Sequence, residues 1–129
     1  MHPIIKEAHR YLANAKEILE EKAIRENGIY RDKKYVKLAG HAAYTGILIA
    51  LDQLMDPAGK QAKRKSRKSI DVYRSFLSTY DRKMLDYLNN LYNVLHLDMS
   101  YDGINDTRII KSAMSVTKEF IDIIGSRIN

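Results

Sequence analysis

Residues 38–51 read LAGHAAYTGILIAL, fourteen positions without a formal charge, inside a longer run, residues 35–55, that contains no proline. Val36, Ala39, Ala43, Gly46, Ala50 and Leu54 recur at the three- and four-residue spacing of one helix face. Ile47, Leu48, Ile49 and Leu51 spread the apolar surface beyond that stripe. A helix apolar over most of its circumference is buried among other helices. The expected architecture is a helical bundle with this segment, about Lys33 to Met55, at its centre. Ala39, Gly40, Ala42, Ala43 and Gly46 are small, so a neighbouring helix can approach closely. That approach offsets the cost of about 1 kcal/mol that each glycine brings to a helix interior.

On the N-terminal side, Ile5, Ala8, Leu12, Ala15 and Leu19 make a second amphipathic helix, from about Pro3 to Ala23 or Glu26. Pro3 suits its first turn, and Asn27-Gly28 reads as its stop. Ile29 to Asp32 is then a short connection. On the C-terminal side, Asp56-Pro57-Ala58-Gly59 ends the central helix and a basic loop follows. A third segment begins near Ser69, a candidate N-cap, and runs to about His96. Its stripe of Ile70, Tyr73, Leu77, Tyr80 and Met84 passes into Leu88, Leu91 and Leu95 with a slip of one residue. A bend or break is expected at Ser78-Thr79-Tyr80-Asp81, just before that slip. Asp98 to Asp106 is rich in turn formers. The last helix starts with Asn105 or Asp106 as cap and ends near Arg127, with Ile109, Ala113, Val116, Phe120, Ile123 and Ile124 as its face. The expectation is all-α, an up-and-down four-helix bundle with a bent or broken third helix.

The chain has 129 residues, 45% of them hydrophobic and 29% charged, which fits a single domain spanning residues 1–129. With no cysteine, disulfides, thiolate nucleophiles and Cys-ligated metals are excluded. Met1-His2-Pro3 does not open a secretory signal, and the charge-free stretch is shorter than the roughly 20 residues of a bilayer span. The expected place is the cytoplasm, without a membrane. The net charge is +6, and Lys60, Lys63, Arg64, Lys65, Arg67 and Lys68 supply six positive charges within nine residues. Without them, sixteen basic residues face sixteen acidic ones, so the excess lies in one loop.

Four stretches together resemble the HEPN superfamily of small four-helix bundles: HRYLANAKEILEEK, YVKLAGHAAYTGILIALDQLM, YDRKMLDYLNNLYNVLHLDMSYDG and TRIIKSAMSVTKEFIDII. The resemblance implies a charged opening helix, a central Ala/Leu-rich helix, a third element ending in a polar motif, and a closing helix. It also implies dimerisation, and RNA or a protein such as a nucleotidyltransferase as partner. Catalytic HEPN members carry an Arg, four to six residues and a His, and cleave RNA at a site shared by two copies. His96 occupies the place of that His, but the positions open to the Arg hold Leu91, Asn90 and Asn89. A neutral Asn cannot replace a charge in stabilising a phosphorane-like oxyanion. The resemblance therefore implies the fold and argues against the nuclease.

Three residue groups are candidates for function. The basic run, with Tyr73 beside it as a stacking ring, fits a nucleic-acid contact, and six phosphate contacts give a log–log salt slope of about −5. His96, near Asp98 and Asp102, fits an acid–base or metal cluster, or simply a cation at a helix C-terminus. In a divergent ribonuclease, Asn90 or Asn93 would position phosphate and Arg82 or Lys83 would supply the cation. His41 and Tyr44 fit an internal pocket or a satisfied core edge. Asp98 to Gly103 has the opening pattern of a calcium loop, but its twelfth position is Ile109 instead of a carboxylate. No Gly-rich phosphate loop, His-Glu-x-x-His or paired Glu-x-x-His is present, so neither cofactor nor metal is expected. The resulting expectation is a non-enzymatic interaction module, with a divergent ribonuclease or a purely self-associating helical protein as alternatives.

Overall fold

The computed structural model describes residues 1–59 and 68–128. Among them the chain is all-α apart from one hairpin. The helices are α1 (Pro3–Glu21), α2 (Lys33–Met55), α3 (Ile70–Tyr80), α4 (Arg82–Leu91) and α5 (Thr107–Ser126). Between α4 and α5, Tyr92–Tyr101 continues α4 as a π-helix. The strands β1 (Arg25–Glu26) and β2 (Ile29–Tyr30) pair antiparallel.

Helix starts follow the capping chemistry of the sequence. His2 Nδ1 accepts from the Ile4 amide at 3.0 Å, with Pro3 in the first turn. Asp32 caps α2 through the Lys34 amide at 3.2 Å. Asp106 caps α5 by accepting from the amides of Arg108 (2.9 Å) and Ile109 (3.2 Å). Ser69 sits at the cap position of α3 but makes no side-chain cap bond. Between α3 and α4, Asp81 is fully extended and breaks the helix where the stripe slips. Its carboxylate caps α4 through the amides of Lys83 (2.9 Å) and Met84 (3.3 Å), and accepts from Arg127 Nη2 at 2.8 Å. Arg127 and these amides hold the Asp81 carboxyl below its ordinary pKa.

Four expectations are corrected. Asn27-Gly28 is not a helix stop: both residues have positive φ, 51° and 82°, and form the tip of the hairpin. Asn-Gly is the preferred pair for such a two-residue turn. The hairpin is held against the start of α5 by Thr107 Oγ1 donating to Gly28 O (3.1 Å) and Asn105 Nδ2 donating to Tyr30 O (2.8 Å). Second, the third segment does not stop at His96, because residues 97–101 stay in the π-helix and the connection shortens to residues 102–106. Third, the buried face of α5 is Ile110, Ala113, Met114, Thr117, Phe120, Ile121 and Ile124, whereas Ile109 is 46% exposed. A pattern of apolar residues alone misses Thr117, whose hydroxyl is satisfied inside the core by Ala113 O at 2.7 Å. Fourth, His41 is exposed, so only Tyr44 of that pair enters the core.

The core is one cluster, to which the predicted faces of α1 and α2 contribute Ile5, Ala8, Leu12, Ala15, Leu19, Val36, Ala39, Ala43 and Ala50. Helix α2 packs against α1 on one side and against the π segment and α5 on others. Two glycines make this possible. A Cβ on Gly46 would stand 2.8 Å from Ala8 O in α1, and one on Gly40 would stand 2.6 Å from Leu95 O in the π segment. In both cases the obstacle is backbone, which cannot swing aside.

Gly40→Ala and Gly46→Ala are therefore expected to destabilise the fold by about 1–3 kcal/mol each through overpacking. Helix propensity alone predicts the opposite sign, a gain of about 1 kcal/mol. Urea midpoints at constant slope distinguish the two, and a gain at Gly40 would refute the close approach.

Candidate functional site

The π segment is where the fold departs furthest from ordinary helix geometry. In an α-helix, the nine-residue step from Tyr92 to Tyr101 makes about two and a half turns, which would put the two rings on opposite sides. The wider i→i+5 winding brings nine residues close to about two turns, so the rings return to one side. His96 lies between them on the same side. Its ring centroid is 5.1 Å from Tyr92 and 5.7 Å from Tyr101, the latter edge-on at 83°. Tyr44 of α2, one turn beyond Gly40, closes the group at 4.9 Å from His96 and 5.9 Å from Tyr92. Three tyrosines thus surround one imidazole, and the outermost, Tyr101, is 69% exposed.

A cation borders this group. The Arg74 guanidinium of α3 lies 4.9 Å over the Tyr92 ring. Its Nε donates to Asn89 Oδ1 at 2.8 Å, and Nη1 pairs with Asp71 Oδ1 at 3.5 Å. The guanidinium is fixed from both sides while stacked on an aromatic face. Among the described residues, His96 Nδ1 is the only buried side-chain nitrogen or oxygen without a hydrogen-bond partner. Nε2 is the ring nitrogen that meets solvent. Burial raises the Tyr44 hydroxyl to a pKa of about 12, with Tyr92 adding to the rise and Arg74 opposing it.

Two turns along α2 from Tyr44, Asp52 Oδ1 accepts from Tyr73 Oη at 2.8 Å and from Lys68 Nζ at 3.1 Å. Burial and the bond to Asp52 push the Tyr73 phenol far above its ordinary range. The last charge of the basic run is therefore fastened to the helix that carries Tyr44. Lys60, Lys63, Arg64, Lys65 and Arg67 lie outside the described residues. Tyr73 itself is 3% exposed, which corrects its reading as a stacking ring: bases stack on an open face, and this one is inside the core.

The other sequence candidates separate. Asn90 and Asn93 are exposed on the α4–π rod. Arg82 and Lys83 stand at the start of that rod, about 20 Å from His96 by helical rise. They do not reach His96 within one copy. Asp98 to Tyr101 belong to the π-helix and not to an open calcium-type loop. Among the described residues, no three His, Asp or Glu side chains gather as a metal site. Sequence reasoning missed Arg74 and the convergence of Tyr44, Tyr92 and Tyr101 on His96. Arg74 is separated from Tyr92 by a helix break, and no periodicity links residues across it.

Fold and site together define an all-α protein with an aromatic–guanidinium face and no helix, among the described residues, long and apolar enough to cross a membrane. The chain belongs to the family described as Domain of unknown function (DUF5618), which matches residues 4–126. A solved structure described as a protein of unknown function from Dyadobacter fermentans is similar at 44% identity and a TM-score of 0.87. The match covers 97% of this chain and 96% of that one. No curated protein matches the chain.

A raised tyrosine pKa makes the neutral phenol part of the folded state. Its stabilisation is complete below the unfolded value near pH 10 and is lost as the pH rises towards about 12. Stability is expected to fall across this window, and Tyr44→Phe should remove part of the fall. An unchanged alkaline profile in Tyr44→Phe would show that this hydroxyl is not buried as described.

Proposed function

We propose that the chain is a non-enzymatic, HEPN-like interaction module that binds single-stranded RNA in the cytoplasm as a homodimer. In this reading α3, α4 and the π segment count as one broken third helix of an up-and-down four-helix bundle. The observation that carries the RNA reading is the bond between Lys68 and Asp52, on the helix that presents Tyr44 to His96. Lys68, the last residue of the basic run, is thus held on α2, in a protein that also offers the exposed Tyr101 ring and a stacked Arg74 guanidinium. Cations that track phosphates next to rings that stack on bases are the two components of sequence-tolerant single-strand binding.

A second reading, a divergent ribonuclease, is favoured by one observation. Arg74 bonds to Asn89, one of the positions where the catalytic motif has its Arg, so a cation stands there from another helix. His96 Nε2 would then act as acid or base, and Tyr92 links the two side chains through ring contacts.

Fluorescence anisotropy with labelled single-stranded RNA, at low and physiological salt, tests the proposal. Binding is expected with a log–log salt slope between about −4 and −5. Replacing Lys63, Arg64, Lys65, Arg67 and Lys68 by Ser should flatten that slope, and Tyr101→Ala should weaken binding about tenfold. No binding at low salt would sink the RNA reading and leave a partner protein as the alternative. Cleaved RNA that stays intact with His96→Ala and with Arg74→Gln would establish the ribonuclease instead. A scattering mass of one chain would refute the dimer.

A further inference from the structure

A second concave site is built by different elements. Between the C-terminal half of α1, the hairpin and the first turns of α5 lies a groove of about 610 Å³. That volume is within the range of small-molecule sites. Leu19, Ile110 and Met114 form its apolar floor, each at most 4% exposed. Lys16 from α1, Arg25 from β1 and Lys111 and Lys118 from α5 line its sides. Glu20 is the only acid among the lining residues.

The groove lining carries four cations against one acid, although the body outside the basic run is even overall. Lys118 is paired with Asp122 at 3.0 Å. Lys16, Arg25 and Lys111 enter no ion pair among the described residues, although they come from three separate elements around one groove. Three free cations around a concave surface favour an anion that offers several oxygens and about two charges, as a phosphate monoester does. A single carboxylate would leave part of that charge unused. Tyr30 lines the same groove, and its hydroxyl bonds no other described group. Burial raises its pKa, so it keeps its proton and can donate to an anion at neutral pH. The aliphatic stems of Lys16 and Lys111 extend the apolar floor, and Met114 adapts to an irregular shape.

We propose that this groove binds a small phosphate monoester with a short aliphatic body, its phosphate among Lys16, Arg25 and Lys111 and its body over Leu19, Ile110 and Met114. The groove shares no residue with the face of α2, α3 and the π segment, so the RNA reading can fail while this inference stands.

Titration calorimetry of the full chain with hexyl phosphate, inorganic phosphate and hexanol tests it. Hexyl phosphate should bind saturably at one site, inorganic phosphate at least tenfold more weakly because the floor is unused, and hexanol not at all. The double variant Arg25→Gln/Lys111→Gln should weaken hexyl phosphate at least tenfold. Both side chains are exposed, so its melting temperature and its RNA binding should be unchanged. Four results would overturn the proposal: no saturable binding, equal affinity for inorganic and hexyl phosphate, unchanged affinity in the double variant, or loss of RNA binding in that variant. The last would assign the groove to a polyanion track.

Discussion

The close approach of backbones around α2 is the constraint on which the rest depends. Gly46 lets the Ala8 carbonyl of α1 come within the space of one methyl group, and Gly40 does the same for the Leu95 carbonyl of the π segment. These two crossings leave little room for large side chains, and Ala39, Ala43 and Ala50 are fully buried beside them. The bulk is supplied by Ile47 and Leu51 of α2 itself and by neighbours, among them Leu12, Leu95, Met99 and Phe120. Small residues at the close approaches and large ones around them form a single interlocked core.

The same approach positions the aromatic face. Leu91, Leu95 and Met99 are buried at four-residue intervals, a spacing the wider π winding keeps on one side over its two turns. With those residues anchored against α2, the polar side of the segment aligns Tyr92, His96 and Tyr101. Long π-helices are rare, and single π turns are frequent at functional sites. Here the unusual winding gathers an imidazole, three phenols and a guanidinium. Charge is distributed with the same economy of position. Asp52 ties the end of the basic run to α2, Asp81 ties the α3–α4 break to the C-terminus of α5, and Asp122 ties His9 of α1 to α5 at 2.8 Å. Lys16, Arg25 and Lys111, which enter no ion pair among the described residues, surround one groove.

Local periodicity and capping were legible in the sequence. The α1 stripe from Ile5 to Leu19 is buried residue for residue, and α2 runs over the expected span. The break in the third segment falls at Asp81, where the slip in spacing indicates it. These features depend on residues within a turn or two of one another, and one-dimensional patterns encode them directly. What was misread also has a local cause. Asn27-Gly28 has the chemistry of a helix end and of a hairpin turn alike, and Thr117 looks polar although its hydroxyl is satisfied within its own helix.

The sequence by itself determined that the chain is helical, which helix is central, where helices begin, and that its excess charge lies in residues 60–68. Tertiary structure alone decided that Arg74 stacks on Tyr92, that Tyr73 turns inward to Asp52, and that Lys16, Arg25 and Lys111 share a groove. The physical reason is range. Propensity, capping and amphipathic spacing act over a few residues, whereas convergence of side chains across helices depends on how closely backbones pack and on a π winding that no α-helical period anticipates.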